Sequence, residues 1–103
     1  MKTDIKISSD IVRVYLLGDI DHHSATKIRE EIDEAILRSK PKTVVLDFSD
    51  VGFMDSSGIG LVMGRYRLLK ELGGEIEIEN ASKTITRLLA LGGIEQIIKL
   101  KQK

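Results

Sequence analysis

The sequence has no cysteine, no tryptophan and a single proline among its 103 residues, and its only aromatic residues are two tyrosines and two phenylalanines. The lack of cysteine excludes disulfides, thiolate catalysis and cysteine-ligated metals. A chain of this length without cross-links must be stabilised by packing alone, and 42% hydrophobic residues are enough for one core. We therefore expect one domain spanning residues 1–103.

The sequence also lacks an excess of charge and a long apolar run. Lysine plus arginine and aspartate plus glutamate number 16 each, so the formal net charge is zero and no general attraction to nucleic acid or anionic membrane is expected. Charged residues interrupt the N-terminal region every few positions, unlike the apolar segment of a signal peptide, and no run reaches transmembrane length. We therefore expect a cytoplasmic protein with no direct nucleic-acid partner and no membrane partner.

The first third of the sequence predicts a β-hairpin followed by a helix. Residues 4–8 and 11–17 are two short β-type runs with a spacing that suits a hairpin. In residues 20–40, hydrophobic residues recur at helical spacing with charged residues between them, and Ser24 is the expected N-cap. The apolar stripe of this helix consists of Ala25, Ile28, Ile32, Ala35 and Ile36.

The remaining residues alternate between strand and helix patterns. The run "TVVLDF" at 43–48 is typical of an interior strand covered on both faces. A helix ending at Gly73-Gly74 follows, and residues 75–80 alternate like a strand with one face in water. Residues 82–93 predict a third short helix, and residues 94–100 predict a last strand. The helical stripes are Ile59, Val62, Met63, Tyr66 and Leu69 in the second helix and Ile85, Leu88 and Leu89 in the third.

The order β-β-α-β-α-β-α-β predicts an α/β fold, a mixed and mostly parallel sheet packed with three or four helices. In such sheets functional residues gather in the loops at the carboxyl ends of the strands. Two loops qualify, residues 18–24 and 50–57, and they hold the two unusual polar clusters of the sequence. We expect both loops to lie on one edge of the sheet.

The serines of the second loop do not form a hydrolase nucleophile motif. Residues 55–60 read "DSSGIG", which differs from the G-x-S-x-G elbow. The only histidines that could act as the base are the adjacent His22 and His23, and adjacent side chains seldom point into one site. The sequence therefore favours a protein that is not an enzyme.

The glycines that follow the serines partly imitate a dinucleotide-binding fingerprint. Gly58, Gly60 and Gly64 follow a strand and open a helix, but the third glycine is displaced by one position and no Walker lysine follows. We therefore expect Gly60 and Gly64 to let the helix pack closely on its neighbour. A small nucleotide-binding domain remains the alternative, and no cofactor is predicted.

A metal site is not predicted from the first loop. Asp19, Asp21, His22 and His23 are all possible ligands, but no second cluster supplies the spacing of a structural zinc site.

Ser56 and Ser57 are candidates for helix capping and for modification. A cap contributes about 1 kcal/mol by satisfying helix N–H groups. A phosphate added there would meet the positive end of the helix dipole and free backbone amides. The modified protein should therefore stay folded, and the added charge would act on the surface of a partner.

The segments "LGDIDHHSA", "VVLDFSDVGF" and "MDSSGIG" followed by "GRY" resemble the anti-sigma factor antagonists of the STAS domain family. The family pattern is Asp-Ser-Ser/Thr-Gly-Leu/Ile-Gly, and the "DHH" loop narrows the resemblance toward the sporulation branch. The resemblance covers nearly the whole chain and implies a single STAS-type domain over residues 1–103.

The resemblance implies a partner switch. In that family an anti-sigma factor serine kinase, with a histidine-kinase-like ATP-binding fold, phosphorylates the serine before the glycine, which here is Ser57. The unphosphorylated antagonist binds this kinase and releases the sigma factor. The phosphorylated antagonist does not bind the kinase, and a PP2C-type phosphatase restores it.

By the same resemblance, Asp55 positions Ser57, and the two loops form the docking surface. Arg65 and Arg67 are expected to be exposed on their helix and within reach of the kinase. We expect a monomer, and a STAS scaffold subunit of a signalling complex is the further alternative. The expected partner-binding residues are Asp21, His22, His23, Ser24, Met54, Asp55, Ser56, Gly58 and Ile59.

Overall fold

The computed structural model describes residues 2–102 as five strands, three α-helices and one short 3₁₀ helix. The strands are β1 Thr3–Ser8, β2 Ile11–Leu17, β3 Thr43–Asp50, β4 Glu75–Glu79 and β5 Lys99–Lys101. The helices are α1 His22–Ser39, α2 Ser56–Glu71 and α3 Lys83–Leu91, and the 3₁₀ helix is Ile94–Gln96.

The strands form one mixed sheet in the order β1-β2-β3-β4-β5. β1 and β2 pair antiparallel, and the other three pairs are parallel, as predicted. From β2 to β5, each helix connects one strand to its neighbour in the same direction across the sheet. Since such crossovers are right-handed, all three helices lie on one face of the sheet. The core lies between that face and the helices, and it includes Val14 and Leu46 of the sheet together with Ile32, Val62 and Leu89 of the helices.

The second face of the sheet carries charged side chains. Asp47 is 2% exposed and lies opposite Glu79 in the sheet register. Arg13 Nη1 donates to Glu79 Oε1 at 2.7 Å and lies 3.8 Å from Asp47 Oδ2. The hydrogen bond to Glu79 is the main cause that raises the pKa of Arg13. β3 is therefore buried on both faces as predicted, but charged side chains cover its second face. The prediction that one face of β4 lies in water is wrong for Glu79, which is buried.

The predicted last strand over 94–100 is wrong in its first half. Gly93 has φ +77°, and residues 94–98 form a helical turn in which the amides of Ile97 and Ile98 both donate to Ile94 O. This turn buries Ile94 and Ile98 in the core. Only the last three residues before Gln102 pair with β4, because sheet pairing begins where Glu77 faces Lys99.

Candidate functional site

The loops that open α1 and α2 lie side by side at the carboxyl ends of β2 and β3. Ile20 and Met54 form an isolated parallel bridge between them. Ile20 N donates to Phe53 O at 3.0 Å, and Asp55 N donates to Ile20 O at 3.1 Å. The prediction that the two polar loops share one edge of the sheet is confirmed.

The first helix begins with a reciprocal capping arrangement. Asp21 has an extended backbone, and its Oδ1 accepts from His23 N at 2.9 Å and from Ser24 N at 2.8 Å. Ser24 Oγ accepts from Asp21 N at 3.0 Å in return. The prediction of Ser24 as N-cap is therefore wrong: Asp21 is the N-cap and Ser24 completes the capping box, three residues later. Ser24 is buried as a result.

The cap makes the stability of the start of α1 depend on pH. The hydrogen bond from the Ser24 backbone is the main cause that lowers the pKa of Asp21, and the His23 amide adds to it. A carboxyl group whose pKa is lowered in the folded state contributes stability above its unfolded pKa, and this contribution is lost as the pH falls through the folded pKa. Acid should therefore weaken this cap.

We expect Asp21→Asn to remove that pH dependence while keeping an acceptable cap, since asparagine also caps helices well. The difference in unfolding free energy between the wild-type protein and the variant should be larger at neutral pH than in acid below the pKa of aspartate. Urea unfolding across this range measures it. A difference that does not change with pH would contradict the role of the Asp21 charge.

His22 and His23 are exposed, and their rings meet edge to face with centroids 5.7 Å apart. Within residues 2–102, no group of three or more histidine, aspartate or glutamate side chains is arranged to hold a metal ion. Both histidines belong to the exposed surface of the first loop.

The second helix begins at Asp55, whose carboxylate is its N-cap. Asp55 Oδ1 accepts from Ser57 N at 2.8 Å, and Asp55 O accepts from Gly58 N at 3.0 Å. Ser56 is exposed and Ser57 is half-buried. The expectation that a phosphate here would meet free amides is wrong for Ser57 and Gly58, because Asp55 already satisfies both amides.

Gly58 and Met54 are in close contact beneath the start of α2. Met54 is 5% exposed, and a Cβ built on Gly58 would overlap Sδ and Cγ of Met54. Ile59 is half-buried beside Gly92. Met54 therefore supports the loop from below.

A groove of about 300 Å³ lies between parts of α1 and α2, and we call it the Ser57 groove. A Cβ on Gly60 or Gly64 would meet nothing within 4 Å, so the expectation that these glycines permit close helix packing is wrong. Their missing side chains leave the groove open. It is lined by Ala25, Thr26, Arg29, Ser57, Gly60, Leu61, Gly64 and Arg65.

Arg65 lies at the bottom of this groove and is 7% exposed, so the prediction of an exposed Arg65 is wrong. Its Nε lies 2.7 Å from Asp33 Oδ1 on α1. The spacing in the sequence indicated that Arg65 would be buried, because it lies four residues from both Leu61 and Leu69, and residues at this spacing share one face of a helix. Both leucines are buried in the structure. Arg67 is exposed as predicted.

Phe53 was not among the predicted site residues. Its side chain is 55% exposed in the loop that leads to Ser57, next to the bridge with Ile20. The sequence shows only an aromatic residue between a valine and a methionine, and the backbone of the loop decides that Val51 and Met54 are buried while Phe53 is exposed.

The STAS domain family profile matches residues 2–103. The anti-sigma F factor antagonist of Paenibacillus polymyxa is 38% identical over 88 residues, which cover 85% of this chain and 75% of that protein. The chain therefore belongs to the STAS domain family and, within it, to the anti-sigma factor antagonists, a group of regulatory proteins.

Solved structures agree with this assignment. The unphosphorylated anti-sigma factor antagonist SpoIIAA is 31% identical, with a TM-score of 0.83, covering 95% of this chain and 86% of that chain. The phosphorylated form of SpoIIAA, a Bacillus cell fate determinant, is also 31% identical, with a TM-score of 0.75 and coverage of 95% and 89%. The predicted resemblance to the sporulation branch and the predicted fold are confirmed.

In the described part of the chain, no helix is both long enough and apolar enough to cross a membrane.

Proposed function

We propose that this protein is a phosphorylation-switched anti-sigma factor antagonist whose switch is Ser57. The unphosphorylated form binds an anti-sigma factor serine kinase, and this binding releases the sigma factor. A phosphate on Ser57 abolishes the binding, and a PP2C-type phosphatase restores it. The protein itself acts as substrate and binding partner, without chemistry of its own.

The observation that carries the proposal is the position of Ser57. It is the second residue of α2, its amide is held by Asp55 Oδ1 at 2.8 Å, and its side chain faces the open Ser57 groove. A hydroxyl on a fixed backbone position next to open space is accessible to the active site of another protein. The structures of SpoIIAA in unphosphorylated and phosphorylated forms support a switch of this kind.

The docking surface combines exposed residues of both loops. His22 and His23 project from the first loop, and Phe53 and Ser56 project from the second. Three predicted contact residues are buried and support this surface from within: Ser24, Met54 and Gly58. The proposed contact residues are Asp21, His22, His23, Phe53, Asp55, Ser56, Ser57 and Ile59.

The modification site is tested by intact-mass spectrometry. The protein is incubated with ATP, with and without the histidine-kinase-like serine kinase from the same genome. We expect one added phosphate, only with the kinase, in the wild-type protein and in Ser56→Ala, and none in Ser57→Ala. Tandem fragmentation then maps the phosphate.

Other outcomes lead to the alternatives. If Ser56→Ala blocks incorporation and Ser57→Ala does not, Ser56 is the switch. If ATP alone modifies or thermally stabilises the protein, it is a nucleotide-binding domain, because a ligand that binds only the folded state raises the melting temperature. Large assemblies in sizing chromatography would favour the scaffold, whereas we propose a monomer.

A further inference from the structure

Arg29 is a cation that lines the same groove as Ser57. It is exposed on α1 and lines the Ser57 groove. Within residues 2–102 it makes no ion pair and no side-chain hydrogen bond, although Asp33 follows it by one helical turn. Asp33 is instead paired with Arg65, at 2.7 Å. The charge of Arg29 is therefore available at the groove.

Arg65 supplies a second positive charge to the same groove. Burial is the main cause that lowers its pKa, Asp33 opposes the lowering, and the nearby charge of Arg29 adds to it. Both guanidinium-bearing residues line the groove. Two cations and one carboxylate leave the groove with an excess positive charge, which favours an anion.

The start of α2 does not offer a phosphate an equivalent site. Asp55 already accepts from the amides of Ser57 and Gly58, and its carboxylate repels a phosphate that carries a charge of about −1.5 to −2 at neutral pH. On the groove side, Gly60 and Gly64 present no side chain, and a Cβ at either position would meet nothing within 4 Å. Repulsion by the Asp55 carboxylate on one side and attraction by the arginines on the other favour a position of the phosphate in the groove.

We propose that the Ser57 groove is a phosphate-binding site, in which the phosphoryl group of modified Ser57 is held by the guanidinium group of Arg29. This inference rests on the proposed function, since it concerns the phosphorylated form of the same residue. The phosphate links the start of α2 to α1 by a charge-assisted hydrogen bond. The modified protein thereby keeps its fold while it presents a changed surface between the two loops.

The test does not require the kinase. Phosphoserine is incorporated at position 57 of the full chain by an expanded genetic code, and the second pKa of the phosphate is measured by phosphorus NMR. A nearby cation favours the dianion, so Arg29→Gln should raise this pKa by ~0.5 unit or more. Arg29→Lys should retain most of the lowering, because it keeps the positive charge.

Arg67→Gln is the matched control, since Arg67 is an exposed arginine of α2 that does not line the groove. It should leave the pKa of the phosphate unchanged. An equal pKa in the wild-type protein and Arg29→Gln, or an equal shift in Arg67→Gln, would overturn the inference. If the pKa of the phosphate shifts only in Arg29→Gln, but no kinase phosphorylates Ser57, the phosphate-binding groove is retained and the proposed function is rejected.

Discussion

Replacing Ser57 by aspartate is expected to weaken binding to the proposed anti-sigma factor kinase by about 100-fold or more, because moving a carboxylate from water into an interface costs several kcal/mol and each ~1.4 kcal/mol is tenfold in affinity. The new carboxylate would stand two residues from Asp55, whose own carboxylate is bonded to the amide of residue 57. Two like charges within the proposed docking surface would both have to lose water when the kinase binds. Isothermal titration calorimetry with the purified kinase measures the loss.

The loss of binding should occur without loss of folding. An acidic side chain in the first turn of a helix interacts favourably with the helix dipole. The thermal melting curve of Ser57→Asp should therefore resemble that of the wild-type protein. A lowered melting temperature that parallels the weaker binding would mean that the variant acts by unfolding.

Two variants separate charge from size and from position. Ser57→Asn has nearly the shape of Ser57→Asp without its charge, so it should retain much more of the binding. Thr84→Asp places the same charge in the first turn of α3, at an exposed residue outside the proposed contact residues. Equal losses in Thr84→Asp and Ser57→Asp would contradict a specific role of position 57.

Replacing Gly58 by alanine is expected to lower the unfolding free energy by roughly 1–3 kcal/mol, the usual cost of inserting a methyl group into a packed core. The added Cβ would overlap Sδ and Cγ of Met54, which is 5% exposed and cannot move freely. The backbone of Met54 is tied to Ile20 by a sheet bridge, so a shift would disturb both loops. Urea denaturation measures the change.

Gly60→Ala is the matched control for this prediction. Its Cβ would meet nothing within 4 Å, and alanine is favoured over glycine in a helix by about 1 kcal/mol, so this variant should be more stable than the wild-type protein. The double variant Gly58→Ala with Met54→Ala should lose less stability than the sum of the two single variants, because the second change removes the overlap. An additive double variant would contradict the proposed contact.

Much of the fold followed from local patterns. Ile28, Ile32 and Ile36 were predicted to share one helix face, and all three are fully buried. The order of strands and helices predicted the mostly parallel sheet. It also predicted that the two polar loops would meet, because the carboxyl ends of parallel strands lie at one edge. The bridge between Ile20 and Met54 is the direct result.

The local sequence patterns did not distinguish between neighbouring residues that suit the same structural role. Asp21 and Ser24 are both good N-cap residues, and the backbone conformation of the loop made Asp21 the cap. Gly58 and Gly60 both belong to the serine motif, but only Gly58 approaches a neighbouring side chain. In each case the choice depends on atoms brought close by the fold of the loop.

Local patterns along the chain therefore predicted the class of fold, the positions of the three α-helices and the family motif that contains Ser57. The tertiary structure alone decided the surroundings of that serine. Arg65 is buried and lies 2.7 Å from Asp33, which belongs to another helix, and within residues 2–102 no carboxylate is paired with Arg29 at the Ser57 groove. Helical and strand patterns arise from neighbours along the chain, whereas burial and pairing depend on residues that only the folded chain brings together.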